Sequence, residues 1–402
     1  MPEAPAAGRR RVLVAGVSAR AVVESAVRAG FEATGLDAFG DAVPGATAAA
    51  MLSLPRDFGR PFTPHAAARV ARQLAADAVV YLSSFENHPR SVALLARGRP
   101  LWGNPPDVLR RVRDPRAVAR VWREHGVAAP AVCLDAPGDA CGDDGWLLKP
   151  VSSGGGRRVR PWRPARRSGT RPVPRGCYLQ ARLPGTPASV VFVAAGGRAV
   201  VLGVSRQIVG DARFGASGFR YCGNILARPD DPQFADGPRL VARAVGLAST
   251  AAEAFGLVGI NGVDLVAVNG VPHPIEVNPR WPASVELAER VAGAPLFGLH
   301  AAACADGVLP AIVSLPSLPQ APAAVGKAIV FARHDATLGD TRGWAEDPDL
   351  RDVPRSGEVV RAGGAVCTVF ASGEDAAACE AALAARAAGI YGQLARWERE
   401  AA

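Results

Sequence analysis

The segment HPIEVNPRWPASVELAER, residues 273–290, decides how the rest of the chain is read. A β-strand sends alternate side chains to opposite faces. Along this one, Ile275, Val277 and Pro279 share a face, and Glu276, Asn278 and Arg280 share the other. A carboxylate, an amide and a guanidinium in a row are costly inside a core unless they bind something. Twelve residues upstream, in GINGVDLVAVNGVPHPIEVNPR, stands Asp264. VDLVAV and HPIEVN read as two strands, with Asn269-Gly270 as the reverse turn. Such a hairpin brings Asp264 towards Glu276 and Asn278. Two carboxylates and an amide oxygen are hard ligands of the kind magnesium takes when it also holds phosphates. Arg280 is next along the face and suits a phosphate oxygen. The competing interpretation is an ion-paired hairpin on the surface.

Two further segments carry polar residues at informative places. WLLKPVSSGGGRR (146–158) delivers Lys149 on an apolar strand, followed by Ser152, Ser153, Gly154, Gly155 and Gly156. Glycines let backbone N–H groups approach phosphates closely. This is not a P-loop, because the lysine precedes the glycines. CYLQARLPGTPASVVFVAAGGRAVVLGVSRQIVG (177–210) reads strand, turn, strand, turn, strand. Gln180, Ala181 and Leu183 have the look of an edge strand whose backbone pairs with an adenine rim. Arg206 and Gln207 stand on the later strand and are expected to face a phosphate or substrate.

The amino-terminal third alternates strand and helix. RVLVAGVSARAVVESAVRAGFEATGLDAFGD gives a short buried strand at 11–16, a helix over 21–29 closed by Gly30, and a second strand. DAVVYLSSFEN (77–87) is a later strand that ends in polar residues, Glu86 and Asn87 among them. This alternation predicts a parallel sheet whose ligands lie beyond the strands' carboxyl ends. GVSARA lacks the Gly-x-Gly-x-x-Gly pattern, so a dinucleotide is not indicated. Residues 103–130 form a helical connector, 237–257 an amphipathic helix, and the tail a set of short strands with a closing helix.

The chain has 402 residues, 49% hydrophobic and 21% charged, with a net charge of +9. That length suits two or three domains. Its 46 basic residues are nearly all arginine, a composition that reads as coding bias plus an anionic small substrate. No nucleic-acid motif accompanies them. Eight arginines crowd 157–175 and read as a solvated loop beyond its first residues. The seven cysteines (133, 141, 177, 222, 304, 367, 379) are scattered without a zinc pattern. They suit reduced thiols in the cytoplasm. No membrane span or signal peptide is predicted.

Taken in order, these segments resemble the ATP-grasp superfamily, in the branch of ATP-dependent carboligases related to biotin carboxylase. The resemblance implies an α/β and α+β architecture. Residues 1–103 would be a Rossmann-like domain. Residues 104–310 would be a two-lobed ATP-grasp domain: a connector helix, a small lobe over about 129–195 and a large lobe over about 196–310. Residues 321–402 would be a β-rich closure. It further implies ATP and magnesium or manganese as cofactors. Lys149 would hold the α/β phosphates, Ser152–Gly156 the β/γ end, and Gln180, Ala181 and Leu183 the adenine. Asp264, Glu276 and Asn278 would bind the metal. Where relatives carry a second lysine, this chain reads VRDPRAV and offers Arg113 or Arg116. Arg280 and Arg206 would flank the carboxylate to be activated, with Glu86, Asn87 and Gln207 on the substrate side. The implied reaction joins a carboxylate to an amine through an acyl phosphate. The alternatives are a bicarbonate-activating carboxylase and a non-catalytic ATP-binding regulator. The partners expected are small molecules, with a homodimer allowed and neither nucleic acid nor membrane involved.

Overall fold

The computed structural model describes residues 9–41, 48–134, 145–163, 172–311 and 322–401. The first unit is a four-stranded parallel sheet made of β1 (Arg11–Ala15), β2 (Glu32–Asp37), β3 (Ala49–Ser53) and β4 (Ala78–Tyr81), in the order β3-β2-β1-β4. β1 is apolar at consecutive positions because both its faces are covered. Leu13 and Ala15 pack with Leu36, Tyr81 and Phe85, and Val12 and Val14 with Val22, Val23 and Trp102. Helices α1 (Arg20–Arg28), α2 (Leu54–Phe58), α3 (Pro64–Ala71) and α4 (Pro89–Leu95) surround the sheet. Asp37, at the carboxyl end of β2, braces the loops there by accepting from the backbone N–H groups of Ala19, Phe39 and Gly40.

The connector is two helices, α5 (Pro106–Val112) and α6 (Pro115–Glu124), separated by Arg113 and Asp114. The Asp114 carboxylate caps α6 by accepting from the N–H groups of Arg116 and Ala117. A small antiparallel sheet follows: β5 (Val132–Cys133), β6 (Trp146–Pro150), β7 (Arg160–Pro161) and β8 (Cys177–Ala181), in the order β5-β8-β6-β7.

An eight-stranded sheet dominates the remainder. Its strands are β9 (Thr186–Ala195), β10 (Arg198–Val209), β11 (Tyr221–Ala227), β12 (Gly259–Val268), β13 (Val271–Asn278), β14 (Ala324–Phe331), β16 (Leu350–Arg351) and β18 (Ala365–Gly373). Their order is β13-β12-β9-β10-β11-β14-β18-β16. β15 (Ala336–Thr337) and β17 (Val359–Val360) pair separately. The helices are α7 (Gly237–Phe255), α8 (Val285–Ala292), α9 (Phe297–Asp306), α10 (Arg342–Glu346) and α11 (Ala376–Ala401). α7 lays Leu240, Ala244, Leu247, Ala251 and Phe255 on Phe192, Val204, Val263 and Val277. α11 covers β14 and β18 through Leu383, Ala387, Ile390 and Leu394.

Two expected boundaries move. β9 belongs to the large sheet, so the small lobe ends at the turn after Ala181 and not near 195. The carboxyl-terminal strands are not a separate β unit: β14 pairs with β11 from Gly223↔Ala328 to Ala227↔Ala324 and extends the same sheet. Cys141 and part of the arginine-rich stretch lie outside the described residues. Among the described residues no helix is long and apolar enough to cross a membrane.

Candidate active site

The hairpin turn forms because Asn269 and Gly270 both adopt positive φ, 49° and 71°. That geometry matches the twist of paired strands. From the turn the pairing runs regularly to Leu265 and Pro274, where the ladder slips and leaves Ile275 as an extra residue in β13. That bulge sets Asp264 directly opposite Glu276. The Ile275 carbonyl accepts from Lys149 Nζ and from Gln180 Nε2, each at 3.3 Å. Lys149 also donates to Gln180 Oε1 at 3.0 Å. The bulge thus ties the metal-type carboxylates to the lysine of the other lobe.

The cavity between the lobes has a volume of about 390 Å³. Lys149, Gln180, Asp264, Glu276, Asn278 and Arg280 line it, together with Ala181, Leu183 and Gln207. The Gln207 amide donates to Asp264 Oδ1 at 2.9 Å. Arg113 also lines the cavity; its guanidinium pairs with Glu276 and donates to the carbonyls of Val151 and Ser153 at 3.0 Å each. Arg116 is exposed at the start of α6 and does not reach the cavity. In the glycine turn, Ser153, Gly155 and Gly156 face inward, whereas Ser152 and Gly154 are exposed to solvent and do not line the cavity.

The glycine turn is seated on the segment before β11. Tyr221 N–H donates to the Gly155 carbonyl at 3.1 Å. A Cβ on Gly156 would lie 1.8 Å from the Phe219 carbonyl oxygen, at φ +69°. Gly156→Ala is therefore expected to push the turn off its seat. Both the strained φ, about 1 kcal/mol, and the clash act in this direction. Protease nicking within 151–160 should accelerate while the global melting temperature changes little. Unchanged cleavage would show that the seat does not hold the turn.

Burial and then the charge of Glu276 push Asp264 up to about 6. Burial works against Glu276 too, but the charges of Arg113 and Lys149 hold its carboxyl below the usual range. Two adjacent carboxylates that repel are oxygen donors suited to a divalent cation, and the Asn278 side chain stands beside them, bonded to Asp264 and accepting from Arg280 through its oxygen. The residues present therefore fit magnesium.

At the far end of β13 the amino-terminal domain closes on the site. Tyr81 O–H, at the end of β4, donates to the Pro279 carbonyl at 2.8 Å. Asn104 Nδ2 donates to the same carbonyl at 3.0 Å. Arg280 Nε donates to Glu86 Oε1 at 2.9 Å, and Arg280 Nη2 to Asn278 Oδ1 at 3.3 Å. Glu86 is 2% exposed, and among the described residues neither its Oε2 nor the buried Asn87 Oδ1 has a partner; neither residue lines the cavity.

Two expectations are corrected. Arg206 does not face the cleft. Alternation along β10 sends Gln207 and Val209 inward, while Arg206 pairs with Glu380 on α11. Gln180 and Ala181 are not on an edge strand, since β8 is paired with β6 on one side and β5 on the other. Leu183 lies past the end of β8, in the short turn before β9. The structure adds Ser189, Tyr221, Asn224 and Ser284 to the cavity wall. Tyr221 O–H donates to Asn224 Oδ1 at 2.5 Å, and Asn224 Nδ2 to Ser205 Oγ at 2.9 Å. A register shift at Ile208/Val209 skips Cys222 and turns Tyr221 and Asn224 towards the site, which a period of two does not reveal.

Residues 112–284 match the model of an ATP-grasp domain. No curated protein sequence matches the chain. Among solved structures, an L-amino acid ligase from Bacillus licheniformis is 16% identical, with a TM-score of 0.63 over 93% of this chain and 96% of that one. N5-carboxyaminoimidazole ribonucleotide synthetase from Thermus thermophilus is 18% identical, with a TM-score of 0.60 over 93% and 96%. The biotin carboxylase domain of 2-oxoglutarate carboxylase from Hydrogenobacter thermophilus, in complex with MgADP, ADP and bicarbonate, is 14% identical, with a TM-score of 0.65 over 91% and 86%. Residues 112–284 are therefore an ATP-grasp domain, and the chain as a whole shares the fold of these three proteins.

Proposed function

We propose that the protein joins a small carboxylate to an amine at the expense of ATP, releasing ADP and phosphate. One observation carries this reading: Asp264, Glu276, Asn278 and Arg280 share a cavity with Lys149 and the glycine turn, which come from the opposite lobe. Lys149 takes the α/β phosphates, and the N–H groups of Gly155 and Gly156 meet the γ end. The apolar wall of Val132, Leu147, Leu183 and Val266 takes the adenine. Asp264, Glu276 and Asn278 would hold magnesium, which when bound neutralises charge on the β and γ phosphates.

The substrate carboxylate, paired with Arg280, attacks the γ-phosphorus. The bond to the β-phosphate oxygen breaks and ADP leaves. The amine nitrogen then attacks the acyl carbon and loses a proton, the acyl C–O bond breaks, and phosphate departs with the amide formed. Glu86 supports this end of the site through Arg280, and among the described residues its Oε2 and Asn87 Oδ1 have no donor, but neither residue lines the cavity itself. The glycine turn excludes water from the acyl phosphate.

A phosphate-release screen of carboxylates crossed with amines, with product mass measured, tests this. An amide-bearing product supports it. Release that depends on bicarbonate alone moves the protein to a carboxylase, and tight ATP binding without release under any pair rejects catalysis. Size measurement in solution tests the homodimer, and fractionation the cytoplasmic location.

The raised Asp264 carboxyl makes a pH prediction. Its folded value of about 6 exceeds the reference 3.8, so the folded form binds the proton more tightly. This group's contribution to the stability of the metal-free protein is full below 3.8 and is lost as pH rises through about 6. Ligation needs the ionised form, so manganese affinity should fall by up to tenfold per pH unit below that point, roughly as expected for one proton displaced. Titration followed by electron paramagnetic resonance at pH 5, 6 and 7 reads it. A flat profile would remove Asp264 from the donor set.

A further inference from the structure

A second cavity, of about 370 Å³, lies at the opposite end of the parallel strands from the ATP-grasp cleft, lined by Arg11, Arg72, Arg97 and Arg99 with Leu74, Ala75 and Ala76. Four of its seven lining residues are arginines. Its one acidic neighbour in direct contact among the described residues is Asp77, which pairs with Arg11 at 2.8 Å; Glu32 acts on Arg11 from further off.

The arginines divide into fixed and free. Arg99 is pinned, donating to the carbonyls of Leu74 at 2.9 Å and Ala71 at 3.0 Å. Arg11 is held by both carboxylate oxygens of Asp77. Arg72, just past α3, and Arg97, just past α4, are exposed, and among the described residues neither side chain has a hydrogen-bond or ion-pair partner. The Arg99 guanidinium is drawn below the usual arginine range, by burial first and then by the charge of Arg72. Beyond the Arg11–Asp77 pair, the positive charge of Arg72, Arg97 and Arg99 therefore gathers around a concavity with no carboxylate paired to it among the described residues. The alternating architecture keeps it there: the ends of α3 and α4 and the starts of β1 and β4 all meet on this face.

We propose that this cavity is a binding site for a compact polyphosphate-bearing small molecule, separate from the catalytic cleft. Guanidinium groups present paired N–H donors that match phosphate oxygens. Two pinned arginines supply a preorganised floor, and two free ones close over the ligand. The volume suits a di- or triphosphate group with little attached. The inference does not depend on the chemistry assigned to the cleft.

Calorimetric titration of the full chain with inorganic tripolyphosphate tests it, with Lys149→Met present to remove the contribution of the cleft. In that background one binding event should remain. Arg72→Ser/Arg97→Ser added to it should weaken that event at least tenfold, roughly the effect of losing charge-assisted contacts. The affinity of the intact site should also fall as salt is raised. Both arginines are exposed, so the melting temperature and the basal ATP-dependent phosphate release should be unchanged when the pair is substituted in the otherwise intact chain. Binding that the double substitution leaves intact, binding that Lys149→Met abolishes, or citrate binding as tightly as tripolyphosphate would each overturn the proposal.

Discussion

Replacing Glu276 with glutamine is expected to lower ATP-dependent phosphate release by about a thousandfold or more, equivalent to roughly 4 kcal/mol of transition-state stabilisation. The amide keeps the size of the side chain and still offers an oxygen to Arg113, which now pairs with the carboxylate. The fold should therefore survive, with a melting temperature close to that of the wild type. What is lost is one of the two negative charges set opposite each other across the β12–β13 ladder. Losing it also removes the second cause of the raised Asp264 carboxyl, which should move down while burial still holds it above 3.8. Two readouts follow: phosphate release, and manganese affinity measured directly. Turnover at the wild-type rate would end the metal assignment and the ligase mechanism with it.

The second large effect concerns Arg280. Its Nε donates to a Glu86 carboxylate that is 2% exposed, in a pair linking the amino-terminal domain to the end of β13. Removing one member of a buried ion pair strands the other charge, which costs about 3–5 kcal/mol. Arg280→Ala should therefore unfold in chemical denaturant at a clearly lower midpoint, besides losing activity. Glu86→Gln added to it should recover most of the stability, because the stranded charge is gone, but none of the activity. A double variant as unstable as Arg280→Ala would show that the loss came from packing around the guanidinium stem.

The sequence exposed the β-hairpin because three local signals agreed: an Asn-Gly turn, two apolar strands, and polar residues every second position. Those signals brought Asp264 and Glu276 to one region; regular pairing from the turn would set Asp264 opposite Ile275, and the bulge that puts Glu276 there was not legible. Lys149 was equally plain, a cation ending an apolar strand ahead of three glycines. Arg206 was misjudged because a strand's period gives two faces without saying which is the inner one; Gln207 took the cleft and Arg206 the ion pair with α11. Tyr221 and Asn224 stayed hidden behind the register shift at Ile208/Val209, and bulges leave no fixed mark in composition. Long-range sheet order was also illegible: nothing near 324–331 announces that it pairs with β11, far upstream in the chain. The same holds for Glu86, whose meeting with Arg280 spans 194 positions.

Arg113 stands at the joint between two helices, grips one carboxylate of the metal-type pair, and holds two carbonyls at the root of the glycine turn. A cation that drew Glu276 away from Arg113 would also act on the tether of that turn. By reciprocity, whatever settled or lifted the turn would then tune how firmly the cation is held. One side chain would thereby join the grip on the cation to the position of the glycine turn.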